Sequence, residues 1–465
     1  MAVARVDGRR SLVQQLAAPN PFAPQSKSIV YRAMQINRLK LRNFKGFSEL
    51  DQGLNRRFTL IVGTNGMGKS SLLDALSVAF GSFLLGIPVA AARHIHQSEA
   101  HESERDFDGT PEFNKVYPVV VEASGRITHP LTGKDKDINW RRALGSEKGR
   151  TTTKDARALS SIAAEAYRAV TKQANPTLPF LSYYGTGRLW AEPRNVERGQ
   201  RRSRFDAYRN SHEPRVSSAN LLDWVHRERF KEFETERSSP LLAAWRKAVE
   251  ACFDEPVEVT YSPSRTRLEV RFIGRKQTVA YENLSHGQRN ILSMVGDIAF
   301  KAIILNPHLR TEAVRAVKGI VLIDEIDMHL HPRWQRIIVP ALLEAFPELQ
   351  FVATTHSPFI IQSLSEGVLL DLNKMELDDR VHNLSLRDIV EDVQKVETSD
   401  RSAPYMQKRH SAQDYLSLVE KLPTLTDPQA REELEATLDM MEAQIQDPGL
   451  EAMMKIERLA KSMGS

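Results

Sequence analysis

The chain holds one cysteine, Cys252, in 465 residues. An intramolecular disulfide and a cysteine-ligated zinc site are therefore excluded, and a reducing, cytoplasmic setting is expected. No apolar run approaches the roughly 20 residues that a membrane-spanning helix needs, so no membrane partner is expected. The N-terminus lacks an apolar segment ahead of a cleavage site, so no signal peptide is read there. No internal repeat is visible, and no heptad run precedes the C-terminal region. Charge of one sign is in only mild excess: the net charge is +5 and the pI about 9.1. That balance permits a nucleic-acid partner without demanding one. The 41% hydrophobic and 26% charged residues suit one large core or two to three smaller ones.

Against these absences stands Gly63 to Ser71, GTNGMGKSS, which fits G-x-x-x-x-G-K-[ST]. Arg57 to Val62 before it reads as a buried strand. Ser71 to Leu76 after it reads as a helix, with Leu72, Leu76 and Phe80 spaced for one apolar face. Strand, glycine loop and helix in that order make a phosphate-binding loop. Its glycines let backbone N–H groups wrap phosphate oxygens, and the helix N-terminus adds partial positive charge. The candidate nucleotide-binding residues are Gly63, Asn65, Gly66, Gly68, Lys69, Ser70 and Ser71. Lys69 is expected to reach the β- and γ-phosphates of ATP, and the Ser70 hydroxyl to ligate Mg²⁺.

Residues 1–33 read as a flexible leader, expected to be dispensable, with Met34 an alternative start. Basic strand residues around Leu39 lead to a turn at Asn43 to Phe47. Residues 85–175 read as an inserted β/α lobe, with strands at Val116 to Glu122 and Ile138 to Arg142 and a helix at Ala156 to Val170. Leu178 to Tyr184 returns to a strand. Residues 190–255 read as a helical lid that starts with a basic loop carrying Arg198, Arg201, Arg202, Arg204 and Arg209. Phosphate tracking by that loop competes with a plain solvated surface, which partly offsetting acids favour. Val257 to Tyr261 and Leu268 to Phe272 alternate like a hairpin. Past Val368 to Leu370 no further convincing strand is read, and 376–465 is expected to form a charged helical tail.

Three more features fall in line with the loop. Ile320 to Ile323 followed by Asp324 and Glu325 is a Walker B pattern, with an acid at the C-terminal end of a parallel strand. Asp324 is expected to hold Mg²⁺, and Glu325 to orient and deprotonate the attacking water. LSHGQ, with Ser285 and Gly287, resembles the signature of ABC-type ATPases. His356, after the last core strand, resembles the switch histidine that contacts the γ-phosphate in those enzymes. The run DEIDMHLHP, with the early LKLRNFKGF, resembles the RecF, SMC and OLD branch rather than transporters. For His329 and His331 the resemblance implies interface loop residues rather than a metal site. YYGTGRLW, RFDAYRNS, IDEIDMHLHPRWQR, TTHSPFIIQSL and DPGLEAMMKIERLAK narrow the likeness further. They resemble bacterial ATPases described as predicted ATP-binding proteins involved in virulence, relatives of the Septu- and retron-associated (PtuA-like) defence ATPases.

The resemblance implies an α/β fold, a P-loop NTPase of the ABC-type head class. It would comprise a mixed sheet within an ATPase domain spanning 34–375, the inserted lobe, the lid and the helical tail. It implies slow ATP hydrolysis with Mg²⁺. It also implies a head-to-tail homodimer, or a higher even oligomer, in which Ser285 and Gly287 of one subunit meet the γ-phosphate held by the other. The expected role is control of a separate nuclease effector, HNH-type among the candidates, in anti-phage defence; the alternative is a RecF-like DNA-binding ATPase of repair. A transporter subunit is disfavoured. The arms between loop and signature are too short for long coiled coils, and no arginine-finger pattern of AAA+ type is evident. Gln97 and Arg188 are both open as the residue that does the work of the Q-loop glutamine. No nuclease chemistry is expected in this chain, since neither a Toprim carboxylate set nor an HNH histidine cluster is legible.

Overall fold

The computed structural model describes residues 34–107, 110–189, 203–209, 211–212, 218–379, 383–395, 403–422, 427–444 and 448–462. The expected leader, Trp190 of the YYGTGRLW run, and Arg198, Arg201 and Arg202 of the basic loop lie outside the described residues.

Strands β1 (Met34–Phe44) and β2 (Phe47–Gly53) form an antiparallel hairpin around the expected turn. Strand β3 (Phe58–Val62) is buried throughout and leads into the glycine loop and helix α1 (Lys69–Leu84). A polar hairpin, β4 (Glu102–Phe107) and β5 (Thr110–Lys115), follows, then the long strands β6 (Val119–Thr128) and β7 (Asp135–Leu144). Helix α2 (Arg157–Thr171) precedes β8 (Phe180–Tyr184). Helices α3 (Ser218–Thr235) and α4 (Pro240–Glu250) lead to the meander β9 (Val257–Ser262), β10 (Arg267–Phe272) and β11 (Gln277–Ala280). Helix α5 (His286–Leu305) and the short α6 (Ala313–Ala316) come before β12 (Gly319–Ile323). Helices α7 (Pro332–Gln335) and α8 (Ile338–Ala345), strand β13 (Leu349–Thr354), helix α9 (Pro358–Gln362) and strands β14 (Val368–Asp371) and β15 (Glu376–Asp378) complete the core.

The main sheet has the spatial order β15-β14-β3-β13-β12-β8. All its pairs are parallel except the edge pair of β14 with β15. It is the mixed sheet expected for the α/β fold. Parallel strands put all their C-terminal ends on one edge, so the loops after β3, β8, β12 and β13 converge there. A second, antiparallel sheet of order β2-β1-β6-β7 faces it across α1. The helix therefore departs from the expected single apolar face: beyond its first turn it is buried on nearly every side.

That second sheet corrects the expected inserted lobe at 85–175. Strand β6 pairs along β1, and its alternating buried positions feed the same core as the main sheet. Trp140 on β7 donates its indole N–H to the Ala79 carbonyl of α1 at 2.9 Å. Of that segment, only β4 and β5 form a sheet of their own. Separation would have exposed the apolar face of β6, so the strands are integral. At the other end, β15 and the buried Ile389 and Val393 belong to the core, so the expected boundary at 375 falls too early. Helices α10 (Leu386–Asp388), α11 (Ala403–Val419), α12 (Pro428–Gln444) and α13 (Pro448–Ser462) follow. The last three enclose a small second core around Tyr415, Leu438 and Met454.

The lid helices are anchored on α5. Trp224 packs against Trp245 and Phe300, and the Trp245 indole donates to Gly296 O at 2.9 Å. Arg204 of the basic loop bonds Leu305 O at 2.7 Å and Pro176 O at 2.6 Å. It ties the lid to the core, so it is not available to track phosphates.

The two sheets are joined by one buried amide. Gln350 on β13, 2% exposed, accepts from Ile36 N at 3.0 Å and donates to Ile36 O at 2.7 Å and Asn55 O at 2.8 Å. Leucine at this position would leave those backbone groups buried without partners. Gln350→Leu is expected to lower the unfolding free energy by roughly 2–4 kcal/mol, measured by urea denaturation.

Candidate nucleotide site

The phosphate loop leaves β3 and is held by its neighbours as well as by its own Thr64 and Lys69. Gly68, at φ 89°, occupies a left-handed conformation as the helix cap. A Cβ there would lie 2.6 Å from the Phe47 ring at the tip of the β1–β2 hairpin. Any side chain at 68 thus meets both backbone strain and an aromatic wall. On the other flank, Asn373 Oδ1, just past β14, accepts from Thr64 N and from the Thr64 hydroxyl, both at 3.1 Å. The N-terminus of α1 has no side-chain cap, which leaves its N–H groups for an anion. Lys69 Nζ donates to Gly63 O at 2.8 Å and Thr64 O at 3.1 Å. Burial lowers its pKa, and Asp324 and Glu325 oppose that shift, so the ammonium sits in the field of both acids.

The second wall comes from the ends of β12 and β13. Asp324, 6% exposed, takes a hydrogen bond from the Thr354 hydroxyl at 2.6 Å. The same hydroxyl accepts from Glu325 N at 2.8 Å. Thr354 thus locks the Walker B carboxylate and orients the peptide of its neighbour. Glu325 sits at φ 48°, a turn that carries its side chain out of the strand direction. One residue on, the Thr355 hydroxyl bonds Asp327. His356 is exposed at the strand end, and its carbonyl accepts from Gln394 at 2.7 Å.

A buried guanidinium joins these strand ends to the signature helix. Arg188, 3% exposed, donates through Nε to Asn290 Oδ1 on α5 at 2.7 Å. Its Nη1 reaches Gly185 O at 3.0 Å and Asp324 O at 2.7 Å, and its Nη2 reaches Glu325 O at 2.8 Å. Asn290 in turn donates to Met328 O at 2.9 Å. Burial lowers the Arg188 pKa to about 10, which leaves it charged at neutral pH. Four of its five N–H donors are engaged with protein groups, so in this structure Arg188 positions the Walker B segment. Gln97, the other candidate, is exposed in a 3₁₀ turn.

The structure brings Lys69, Ser70, Asp324, Glu325 and His356 to one edge, on the ends of adjacent strands. It does not bring Ser285 or Gly287 to the phosphate loop of the same chain. Ser285 caps α5: its hydroxyl accepts from Gln288 N at 3.2 Å, and Gln288 Oε1 accepts from Ser285 N at 3.0 Å. A Cβ on Gly287 would lie 2.6 Å from His329 O, so the signature is packed onto the loop after Walker B. The His286 and His329 rings lie 5.5 Å apart, and His331 caps α7. Among the described residues no group of three His, Cys, Asp or Glu side chains is placed to hold a metal. Thr354, Asn290 and Asn373 were missed by sequence reasoning. Only the TT of TTHSP, a hydroxyl pair at the end of a buried strand, hinted at Thr354.

The donors fit Mg²⁺ with a nucleotide: a serine hydroxyl and a carboxylate are hard oxygen ligands, beside an ammonium and uncapped helix N–H groups. Two family models match the chain, "AAA domain" over residues 38–250 and "AAA domain, putative AbiEii toxin, Type IV TA system" over 186–362. A curated relative, "Retron Vc95 probable ATPase" of Vibrio cholerae serotype O1 biovar El Tor, is 39% identical over 131 residues, 28% of this chain and 24% of that protein. "Retron Ec83 probable ATPase" of Escherichia coli is 24% identical over 71% of this chain and 70% of that protein. "Septu protein PtuA" of Bacillus mycoides (strain KBAB4) is 26% identical over 72% of this chain and 40% of that protein. The chain thus spans less than half the length of two of these three relatives. The matches are to ATPases of the RecF/SMC-like branch linked to anti-phage defence.

Arg188→Gln breaks the clamp without adding bulk. Nucleotide-free protein is expected to lose roughly 2–4 kcal/mol of unfolding free energy in urea denaturation. Unchanged stability with lost nucleotide affinity would instead mark Arg188 as a phosphate contact.

Proposed function

We propose that this chain binds ATP with Mg²⁺ and hydrolyses it slowly to ADP, as the regulatory ATPase of an anti-phage system whose destructive step resides in a separate effector. The observation that carries the reaction is the Thr354 hydroxyl held between Asp324 and Glu325, on the strand end next to the phosphate loop. Lys69 and the loop N–H groups bind the β- and γ-phosphates. Ser70 and Asp324 supply oxygens to Mg²⁺, which neutralises charge on the phosphates when bound. Glu325, next to Asp324 at the end of β12, orients and deprotonates the attacking water. His356 faces the γ-phosphate from the end of β13.

The site of one chain is incomplete in this reading. Ser285 is exposed at the N-terminus of the 20-residue helix α5, yet makes no hydrogen bond to its own phosphate loop among the described residues. Two chains packed head to tail place it against the nucleotide of the other, so ATP becomes part of the interface. Hydrolysis then releases the pair, and an effector reads the change. The retron and Septu relatives favour a defence role, with a nuclease, HNH-type among the candidates, as effector. A RecF-like DNA-binding role is the rival; salt-dependent binding to DNA ends would favour it.

Glu325→Gln is expected to retain ATP and accumulate the closed dimer while turnover falls by ~10²–10⁴. Lys69→Ala is expected to lose tight ATP binding. Steady-state phosphate release and equilibrium nucleotide binding check both, and unchanged turnover in Glu325→Gln would place water activation elsewhere.

Ser285→Arg is expected to block dimerisation and turnover yet leave monomer nucleotide binding intact. Mixing it with Lys69→Ala should restore activity in heterodimers that contain one intact composite site. Light scattering and phosphate release on the mixtures test this, and normal hydrolysis by Ser285→Arg alone would sink the composite site.

A further inference from the structure

Tyr183 and Tyr184 end β8 and lie on opposite faces of the main sheet, as consecutive strand residues must. The Tyr184 hydroxyl donates to Asp297 on α5 at 2.8 Å, which assigns its face to α5. Tyr183 therefore lies on the face of α1. The register sets Tyr183 beside Leu322 and Tyr184 beside Ile323 on β12, so Asp324 is the next position on the face of Tyr183. The charges acting on its phenol agree: Asp74 on α1, Asp324 and Arg93. Tyr183 is 6% exposed. Its hydroxyl nevertheless makes no hydrogen bond to any described residue, and it is not among the oxygens sealed from solvent.

A buried phenol is normally anchored by its hydroxyl, as Tyr184 is by Asp297 and Tyr208 is by Pro179 O at 2.5 Å. Tyr183 breaks that pattern at the edge where the catalytic groups gather. Burial, with Asp74 and Asp324 nearby, holds its pKa well above the usual phenol range, so it is a neutral group able both to donate and to accept. The work left open between Gln97 and Arg188 has no other evident owner: the first is exposed in its turn and the second has four of its five N–H donors in the clamp.

We propose that the Tyr183 hydroxyl faces the nucleotide site and hydrogen-bonds water in the shell of the Mg²⁺ held by Ser70 and Asp324. It links metal occupancy to the strand that carries the Arg188 turn. The inference rests on the reading of this edge as a Mg-ATP site.

The test uses the full chain as wild type, Lys69→Ala and Tyr183→Phe. A fluorescent ATP analogue is titrated over a range of Mg²⁺, alongside thermal unfolding and phosphate release. Because the hydroxyl makes no hydrogen bond to any described residue, nucleotide-free Tyr183→Phe should melt within about 2 °C of wild type. Metal-free nucleotide affinity should also be unchanged, with Lys69→Ala marking the lost-binding limit. The Mg²⁺ needed for half-maximal enhancement of binding should rise about fivefold or more, and kcat should fall about tenfold or more. A Mg²⁺ dependence of binding identical to wild type overturns the proposal. So does a large drop in melting temperature, which would reveal a structural partner for the hydroxyl. If wild type itself does not bind Mg-ATP, the ATPase reading falls and this inference with it; a Tyr183→Phe that matches a functional wild type removes this inference alone.

Discussion

One buried cation holds the proposed nucleotide edge together. The Arg188 guanidinium sits where the turn after β8, the end of β12 and the signature helix α5 meet. Two of its bonds run to the peptide oxygens of Asp324 and Glu325. Those carbonyls lie just past the strand, beyond the reach of sheet pairing, and would otherwise be under-satisfied in a buried place. A planar fork of five donors can take up several such acceptors at once, which a lysine cannot. Arg188 and Asn290 thus connect the signature helix directly to the segment that carries both Walker B acids.

That connection gives physical content to the proposed nucleotide-gated dimer. Gly287 packs against the His329 carbonyl, and Asn290 holds the Met328 carbonyl, so the signature is tied directly to the loop after Walker B. In the proposed dimer, a ligand that draws Ser285 toward a second subunit would act on the element that also contacts the Asp324–Glu325 segment. A two-state device needs such differential contacts, since a ligand shifts an equilibrium only by its preference for one state.

The scaffold behind the edge is a helix clasped between two sheets. Helix α1 carries Lys69 and Ser70 at one end and buries the rest of its length against the parallel and antiparallel sheets. Burial on nearly every side fixes its axis, and with it the direction of its exposed N-terminus. The Phe47 ring and Asn373 then close on the loop from opposite sides. The shape of the glycine loop is set by these neighbours together with Lys69, which bonds the Gly63 and Thr64 carbonyls.

The residues proposed to hold a nucleotide are legible in the chain because they are contiguous. A glycine loop must supply particular backbone conformations, a lysine and a hydroxyl within nine positions, and those demands write themselves locally as GTNGMGKSS. The Walker B acids and LSHGQ are local for the same reason, as are the parallel strands that precede them. Tertiary structure decided what joins them. Gln350 staples Ile36 across 314 positions, Arg188 reaches Asn290 across 102, and Thr354 meets Asp324 across 30. None of these pairs follows from spacing, since a hydrogen bond between distant segments depends on which strands become neighbours. The pairing of β6 with β1, which dissolved the expected inserted lobe, and the surroundings of Tyr183 were settled in the same way. A strand's partner and a side chain's surroundings are properties of the assembled core, and no short stretch of the chain contains them.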